Sequence, residues 1–397
     1  MRLAGRRLLL GVSGGIACYK SCILVRRLRE AGALVDVVMT RGATRFVRPV
    51  TFEALSGRPV RTSLWTRGEA LDHVRLAEEA ELIVLAPATA DLLARAALGL
   101  ADDLLTSMLL ARSGPVLAAP AMNDRMFAAA PTRSHIASLA ARGWHFVGPA
   151  IGPLAEGESD TPGRMSEPEE IAEHAARLLL SGGPLQGSRV VVTAGPTREA
   201  IDPVRVITNR SSGKMGYRLA EAAWRRGALV TLISGPSSET AHSGINTIRV
   251  ESTAELRDRL AERLPETDVL IMAAAPADYA PANRATEKTP RQSGNLTLAL
   301  VSTPDILSDT KSLRKAGMLT VGFALETGDA LAKGRAKLER KDLDLIVVND
   351  ALQPGAGFEV DTNIVSILHK DSRQTNVSLA SKAQIAEAIL DVVEAEL

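Results

Sequence analysis

The chain has 397 residues, more than one hydrophobic core usually organises, so two or three domains are expected. Apolar residues make up 46% and charged residues 23%, the balance of a globular protein, which excludes global disorder. Lys and Arg total 47 against 46 Asp and Glu, so a net charge of +1 gives no overall field for nucleic acid or an anionic membrane, and 3% aromatics argue against a base-stacking platform.

In chain order, Arg2, Arg6 and Arg7 precede an apolar run from Leu8, which superficially suggests a signal peptide, but Ser13-Gly14-Gly15 breaks the run and Lys20 follows. Residues 8–12 read as a buried strand, 15–30 as a helix ending at Gly32, and 34–39 as a second strand. That is a β-α-β unit whose crossover makes the two strands parallel. Cys18 and Cys22 both fall on its helix, where their geometry disfavours a mutual disulfide, so a reduced, cytoplasmic setting is expected. Residues 82–86 and 116–119 are further buried strands, and Asp91, Arg95, Asp102, Asp103 and Arg112 leave no stretch between them long enough to span a bilayer. The same grammar returns with a strand at 190–193, a helix at 214–226 and a strand at 229–234, followed by strands at 269–275, 319–324 and 345–348. Even the corner repeats, as Gly32-Ala33-Leu34-Val35 and Gly227-Ala228-Leu229-Val230. The expected fold is α/β, with two doubly wound, Rossmann-like domains, residues 1–186 and 187–397, divided at Ser181-Gly182-Gly183-Pro184-Leu185-Gln186-Gly187.

Each domain should bind its ligand at the carboxyl ends of its strands. In the first, Gly11-Val12-Ser13-Gly14-Gly15-Ile16 lets backbone amides approach an anion, or is simply a tight turn; Thr40 and Ala86-Pro87-Ala88-Thr89 should share its rim. His73 is either a proton-transfer group, since an imidazole suits acid–base work near neutral pH, or a satisfied structural histidine. Asn123, in Pro120-Ala121-Met122-Asn123, could hold a carboxylate or cap a helix. Nothing in the sequence has zinc-ligand spacing. In the second domain Ser211-Ser212-Gly213-Lys214 fails as a P-loop, because Thr208 and Met215 stand where Gly and Ser or Thr are needed, yet it can open a helix toward a phosphate. Lys337 and Lys341 lie one helical turn apart, as an anion site or a solvated basic face; Asp278, at a strand's carboxyl end, could meet a metal or a nucleotide or cap a turn; Lys288 sits in a polar loop of the kind that closes over phosphates.

Gly11-Val12-Ser13-Gly14-Gly15-Ile16-Ala17, Pro120-Ala121-Met122-Asn123, Gly163-Arg164-Met165, Ala194-Gly195-Pro196-Thr197-Arg198-Glu199, Asn209-Arg210-Ser211-Ser212-Gly213-Lys214-Met215-Gly216 and Val347-Val348-Asn349-Asp350 occur in this order. Over essentially its whole length the chain resembles the bifunctional phosphopantothenoylcysteine decarboxylase/phosphopantothenate–cysteine ligases of coenzyme A biosynthesis. The resemblance implies that the second domain activates 4'-phosphopantothenate with CTP as an acyl-cytidylate, releasing pyrophosphate, and that L-cysteine then displaces CMP. Asn209 would hold the acyl-cytidylate, with Ser212 and Gly213 on the substrate. Lys288 would serve the phosphates and amine attack, and Asp278 with Ala273, Ala274 and Ala275 would meet the nucleotide. Pro304, Asp305, Ile306 and Phe323 match base and ribose contacts, Lys337 and Lys341 match triphosphate contacts, and Mg2+ is expected on the phosphates. The first domain is similar to FMN-dependent cysteine decarboxylases, which implies FMN held by Ser13, Gly14, Ile16, Thr40, Ala88 and Thr89, His73 as base and Asn123 on the departing carboxylate.

The chain departs from that pattern at Glu156, which stands where a proton-donating cysteine is usual. Glu156 is therefore the expected donor, with Glu158 or Asp160 as substitutes. Asp102 replaces a usual Asn beside the flavin, and Pro290 and Arg291 replace lysines after Lys288. The alternative reading keeps the ligase and makes the flavin domain a partial decarboxylase or an assembly module. The resemblance further implies trimeric flavin domains with the flavin near a subunit interface, and dimeric ligase domains, closing into a large homo-oligomer such as a dodecamer.

Overall fold

The computed structural model describes residues 3–65, 71–153, 157–290, 297–350 and 360–397. They form two compact units, Met1–Leu180 and Ser181–Leu397. Residues 181–186 lie with the second unit, where Leu185 is buried in the core.

The first unit is built on strands β1 (Arg7–Val12), β2 (Leu34–Met39), β3 (Val60–Arg61), β4 (Leu82–Ala88), β5 (Val116–Pro120) and β6 (His145–Phe146). They pair in the order β3-β2-β1-β4-β5-β6, every pair parallel. Because strand side chains alternate, Leu8, Leu10 and Val12 face one apolar layer while Leu9 faces the other; Val84 and Ala86 oppose Ile83 and Leu85 in the same way. Burial on both faces requires these continuous apolar runs. Chain order reverses between β1 and β4, and at that switch point the carboxyl ends of adjacent strands diverge to leave a crevice.

The second unit contains β7 (Arg189–Ala194), β8 (Arg198–Ala200), β9 (Val206–Thr208), β10 (Leu229–Ser234), β11 (Asn246–Arg249), β12 (Val269–Met272), β13 (Tyr279–Pro281), β14 (Leu300–Ser302), β15 (Leu319–Glu326), β16 (Leu345–Asp350), β17 (Thr362–His369) and β18 (Gln374–Ser381). Its main sheet runs β11-β10-β7-β12-β15-β16-β17-β18, parallel as far as β16 and antiparallel beyond it. The antiparallel edge and two small ladders, β8 with β9 and β13 with β14, go beyond the sequence reading. Helix Lys214–Arg225 packs on β7 so closely that a Cβ on Gly216 would sit 2.5 Å from the Ala194 Cβ. Its end is fastened to helix Lys382–Ala395 by an ion-pair cluster: buried Arg225 and Arg226 share buried Glu387, and Arg226 also pairs with the more exposed Asp391 and Glu394.

Two expected elements are shorter than their apolar patterns. The first helix starts at Cys18 rather than residue 15, because the preceding residues form turns at the crevice, with the Cys18 N–H donating to the Gly15 carbonyl at 3.0 Å. Strand β12 stops at Met272, since the Ala274 N–H donates to Thr193 Oγ1 at 3.1 Å and the Ala275 N–H to the Gly195 carbonyl at 2.9 Å, curling the chain over the end of β7.

Candidate active sites of the two units

A cavity of about 770 Å³ lies at the first switch point, walled by the loops after β1, β2, β4 and β5 and by the 163–165 segment. Of the residues expected to hold a cofactor, Ser13, Gly14, Ile16, Thr40 and Thr89 line it, while Ala88 is fully buried behind it. The buried Ser13 hydroxyl donates to the Pro87 carbonyl at 2.7 Å and accepts the Thr89 N–H at 3.0 Å, welding two loops into one wall. A Cβ on Gly14 would stand 2.7 Å from the Gly42 backbone, so only glycine lets the β1 and β2 loops touch. Thr89 caps helix Ala90–Leu98, its hydroxyl accepting the Leu92 N–H at 3.3 Å, and that helix N-terminus faces the cavity.

Asn123 lines the cavity and also caps helix Asp124–Ala128, its Oδ1 accepting the Arg125 N–H at 2.9 Å, so the cap is present and does not take the residue away from the cavity. His73, on helix Asp72–Glu79, does not line its own chain's cavity; its Nδ1 is buried without a hydrogen-bond partner. Glu156 lies outside the described residues, and Glu158 and Asp160 are exposed. Asp102 is exposed and paired with Arg95, whose hydrogen bond holds the Asp102 carboxyl below its usual pKa; Arg95 and Asp103, unlike Asp102, are among the charged residues that line the cavity.

Lys20 is a residue that the sequence reading missed. It is 4% exposed at the cavity wall, and its Nζ donates to the Met165 carbonyl at 3.0 Å and to Glu167 at 2.9 Å, tying the 163–167 segment to the first helix. Its position beside the glycine loop, on the buried face of the helix with Cys18, Leu24, Val25 and Leu28, was the available signal. At the other end of that segment Asp124 accepts the hydroxyls of Ser159 at 2.7 Å and Thr161 at 2.9 Å, which lowers its pKa.

In the second unit Ala273, Ala274, Ala275 and Asp278 follow β12 and Pro304, Asp305 and Ile306 follow β14, while Phe323 lies within β15 and Lys337 and Lys341 on helix Ala330–Lys341. Asn209, just after β9, donates through Nδ2 to the carbonyls of Ala275 at 3.1 Å and Pro276 at 3.0 Å. From there Thr303 ties the Ala277 and Asp278 carbonyls, at 2.6 and 3.0 Å, to Pro304 and Asp305. Asp305 caps the short turn Ile306–Asp309 and pairs with Lys341, which also donates to Ser308 Oγ at 3.1 Å. Burial would raise the Asp305 pKa, but Lys341 and the Ser308 N–H hold it below the usual value. Lys337 donates to the Phe323 carbonyl at 2.8 Å, and burial lowers its pKa. Lys337 and Lys341 are therefore held by separate acceptors rather than solvated together. Asp278 and Lys288 are exposed.

Gly213, with φ +82°, opens helix Lys214–Arg225. Ser212 borders a second cavity of about 640 Å³ whose wall carries Arg198, Arg249 and Ser237. Lys214 is drawn to Asp361 at 2.6 Å. Arg291, like residues 292–296, lies outside the described residues. Among the described residues no group of three or more His, Cys, Asp or Glu is placed to hold a metal ion, and no helix is long and apolar enough to cross a membrane.

Comparison with known proteins agrees with this two-part layout. Residues 2–180 match the Flavoprotein family and residues 185–397 the family described as DNA/pantothenate metabolism flavoprotein C-terminal domain. The coenzyme A biosynthesis bifunctional protein CoaBC of Vibrio vulnificus is 44% identical over 396 residues, 99% of this chain and 98% of its own length. The chain belongs to the CoaBC family. Its Bacillus subtilis relative of the same name is 45% identical over 398 residues, covering 99% of this chain and 98% of that one. The crystal structure of a CoaBC C-terminal domain aligns at 36% identity, with TM-score 0.47, over 54% of this chain and 97% of that one. As in the family, the chain is a bifunctional enzyme of coenzyme A biosynthesis, with a flavoprotein decarboxylase unit followed by a ligase unit.

Proposed function

We propose that the ligase unit joins L-cysteine to 4'-phosphopantothenate at the expense of CTP and that the flavoprotein unit, carrying FMN, decarboxylates the 4'-phosphopantothenoylcysteine so formed to 4'-phosphopantetheine, both in the cytoplasm. The observation that carries this reading is full-length likeness to CoaBC, supported by Ser13, Gly14, Ile16, Thr40, Thr89 and Asn123 around one cavity and by Asn209 on the Ala275 and Pro276 carbonyls.

In the ligase unit, the substrate carboxylate attacks the α-phosphate of CTP, forming the acyl-cytidylate and expelling pyrophosphate. The cysteine nitrogen then bonds to the acyl carbon, the carbon–oxygen bond to CMP breaks, CMP leaves with the electron pair, and the amine loses a proton. Asn209, Ser212 and Gly213 would hold the acyl-cytidylate. Ala273, Ala274, Ala275, Asp278, Pro304, Asp305, Ile306 and Phe323 would frame the nucleotide. Lys337 and Lys341 would take its phosphates, Lys341 exchanging Asp305 for the incoming anion, and Lys288 would serve the phosphates and the attack of the cysteine amine. Mg2+ would ride on the triphosphate, as it does where no dedicated protein cage exists.

FMN suits the first cavity on volume, on the glycine contact that flattens its wall and on the helix N-terminus at its rim, which favours a phosphate. When bound, it supplies reversible two-electron oxidation of the thiol-bearing carbon. Ser13, Gly14, Ile16, Thr40 and Thr89 would cradle it, with Ala88 shaping the wall from behind. Asn123 would orient the departing carboxylate, and Glu156 would return the proton.

His73, which does not line the cavity of its own chain, would serve as base in the cavity of another copy, so the flavin units would act as a homo-oligomer. Two experiments test these readings. Incubation with 4'-phosphopantothenate, cysteine, magnesium and each nucleoside triphosphate should release CMP and pyrophosphate with CTP at the highest kcat/KM; preference for another nucleotide would overturn the CTP assignment. Mixed oligomers of His73→Asn and Asn123→Asp chains should regain decarboxylation that neither parent shows, whereas no recovery would place both residues in one chain's site.

A further inference from the structure

The turn between β8 and β9 carries a carboxylate that the chemistry above does not use. Asp202 is 1% exposed. Its Oδ1 accepts the backbone N–H groups of Val204 and Arg205, both at 2.8 Å, and these two bonds suffice to close the turn. The other oxygen looks elsewhere. Oδ2 accepts Arg205 Nη1 at 2.7 Å and the backbone N–H of Thr289 at 3.3 Å, and the same Nη1 donates to the Thr289 carbonyl at 2.9 Å. Both backbone polar groups of the residue after Lys288 are therefore held by one ion pair from a distant turn. The Ala285 N–H, donating to the Ile201 carbonyl at 3.0 Å, fastens the same segment to the same turn. Burial opposes ionisation of Asp202, but the N–H groups of Val204, Arg205 and Thr289 outweigh it and keep the carboxyl below its usual pKa.

The turn also leads through β9 to Asn209, whose amide is fixed on the Ala275 and Pro276 carbonyls. One rigid feature thus stands between the residue read as holding the acyl-cytidylate and the residue read as serving the attack on it. Lys288 is exposed and long, so the position of its ammonium depends on where its backbone is anchored. We propose that Asp202, with Arg205, is a positioning residue for ligation: through Thr289 it fixes the backbone that presents Lys288 while cysteine captures the activated carboxylate. The inference rests on the reading of Lys288 given above and adds to it the device that aims this side chain.

The test uses the full-length enzyme, with pyrophosphate release reporting activation and CMP release with amide formation reporting capture. Asp202→Asn should slow capture by about tenfold and activation by less than about twofold, so that acyl-cytidylate accumulates. Arg205→Met, which leaves both Oδ1 turn bonds in place, should give the same split at about threefold and carries the test if Asp202→Asn fails to fold. On a Lys288→Gln background Asp202→Asn should add nothing, because a residue acting through Lys288 has nothing left to aim. Equal slowing of both half-reactions, or a full tenfold effect on top of Lys288→Gln, would overturn the positioning role alone. Normal capture by Lys288→Gln itself would overturn the reading of Lys288, and the proposal with it.

Discussion

The two units open with the same crossover, down to a shared Gly-Ala-Leu-Val corner, and then diverge at their carboxyl edges. In the flavoprotein unit the loops converge on one cavity whose shape is set by backbone, with Gly14 pressed on Gly42 and Ser13 bridging to Thr89. In the ligase unit the candidate residues are strung along the edge, and several are already engaged: Asn209 on two carbonyls, Lys337 on the Phe323 carbonyl, Lys341 on Asp305. One doubly wound sheet has made a container, suited to a resident cofactor. The other has made a track of exchangeable hydrogen bonds, suited to substrates that arrive and leave at each turnover. The units differ in the segments beyond their shared crossover, not in the crossover itself.

That contrast can be broken most sharply by Lys288→Gln, which should lower ligation by about a hundredfold or more while leaving decarboxylation of supplied 4'-phosphopantothenoylcysteine unchanged; coupled loss of both would show that the units do not work separately. Glu387→Ala addresses stability. It strips the shared carboxylate from Arg225 and Arg226, both nearly buried, and should destabilise the ligase unit by about 3–5 kcal/mol. Calorimetry should show the ligase transition falling while the flavoprotein transition stays.

Gly14→Ala, which forces apart the backbones of the β1 and β2 loops, should weaken FMN about tenfold, read by flavin retention on gel filtration, with ligation intact. The smallest effect is a pH dependence. Burial lowers the Lys337 pKa, so as pH rises the ammonium loses its proton before an exposed lysine would, below the ordinary 10.5. Its charge goes from positive to neutral, and the KM for CTP should rise about threefold in that window; Lys337→Arg, which stays charged, should abolish the rise.

Much of this was legible in the sequence because parallel strands buried on both faces must be continuously apolar. β2 and β10 are legible to the residue, whereas the strand orders that set the switch points are not. The glycine loop and Asn123 were legible for a related reason, since each comes directly after a buried strand. Less legible were features that depend on distant partners. The shortening of β12 needs Thr193 and Gly195, and the role of Lys20 needs a carbonyl from residue 165. Asp202 reads locally as a turn aspartate, and only its contact with Thr289 says otherwise. Nor could spacing show that Lys337 and Lys341, one turn apart, are held by different acceptors. Sequence patterns report which face is buried; they do not report which distant polar group meets another.

The most direct test of a bifunctional enzyme with two separate chemistries is a mass-spectrometric time course of the purified protein with 4'-phosphopantothenate, cysteine, magnesium and CTP. The account predicts transient 4'-phosphopantothenoylcysteine followed by 4'-phosphopantetheine, with CMP and pyrophosphate in equal amounts. Permanent accumulation of 4'-phosphopantothenoylcysteine, or of a decarboxylated product two hydrogens short, would contradict it by showing that the flavoprotein unit does not complete the decarboxylation.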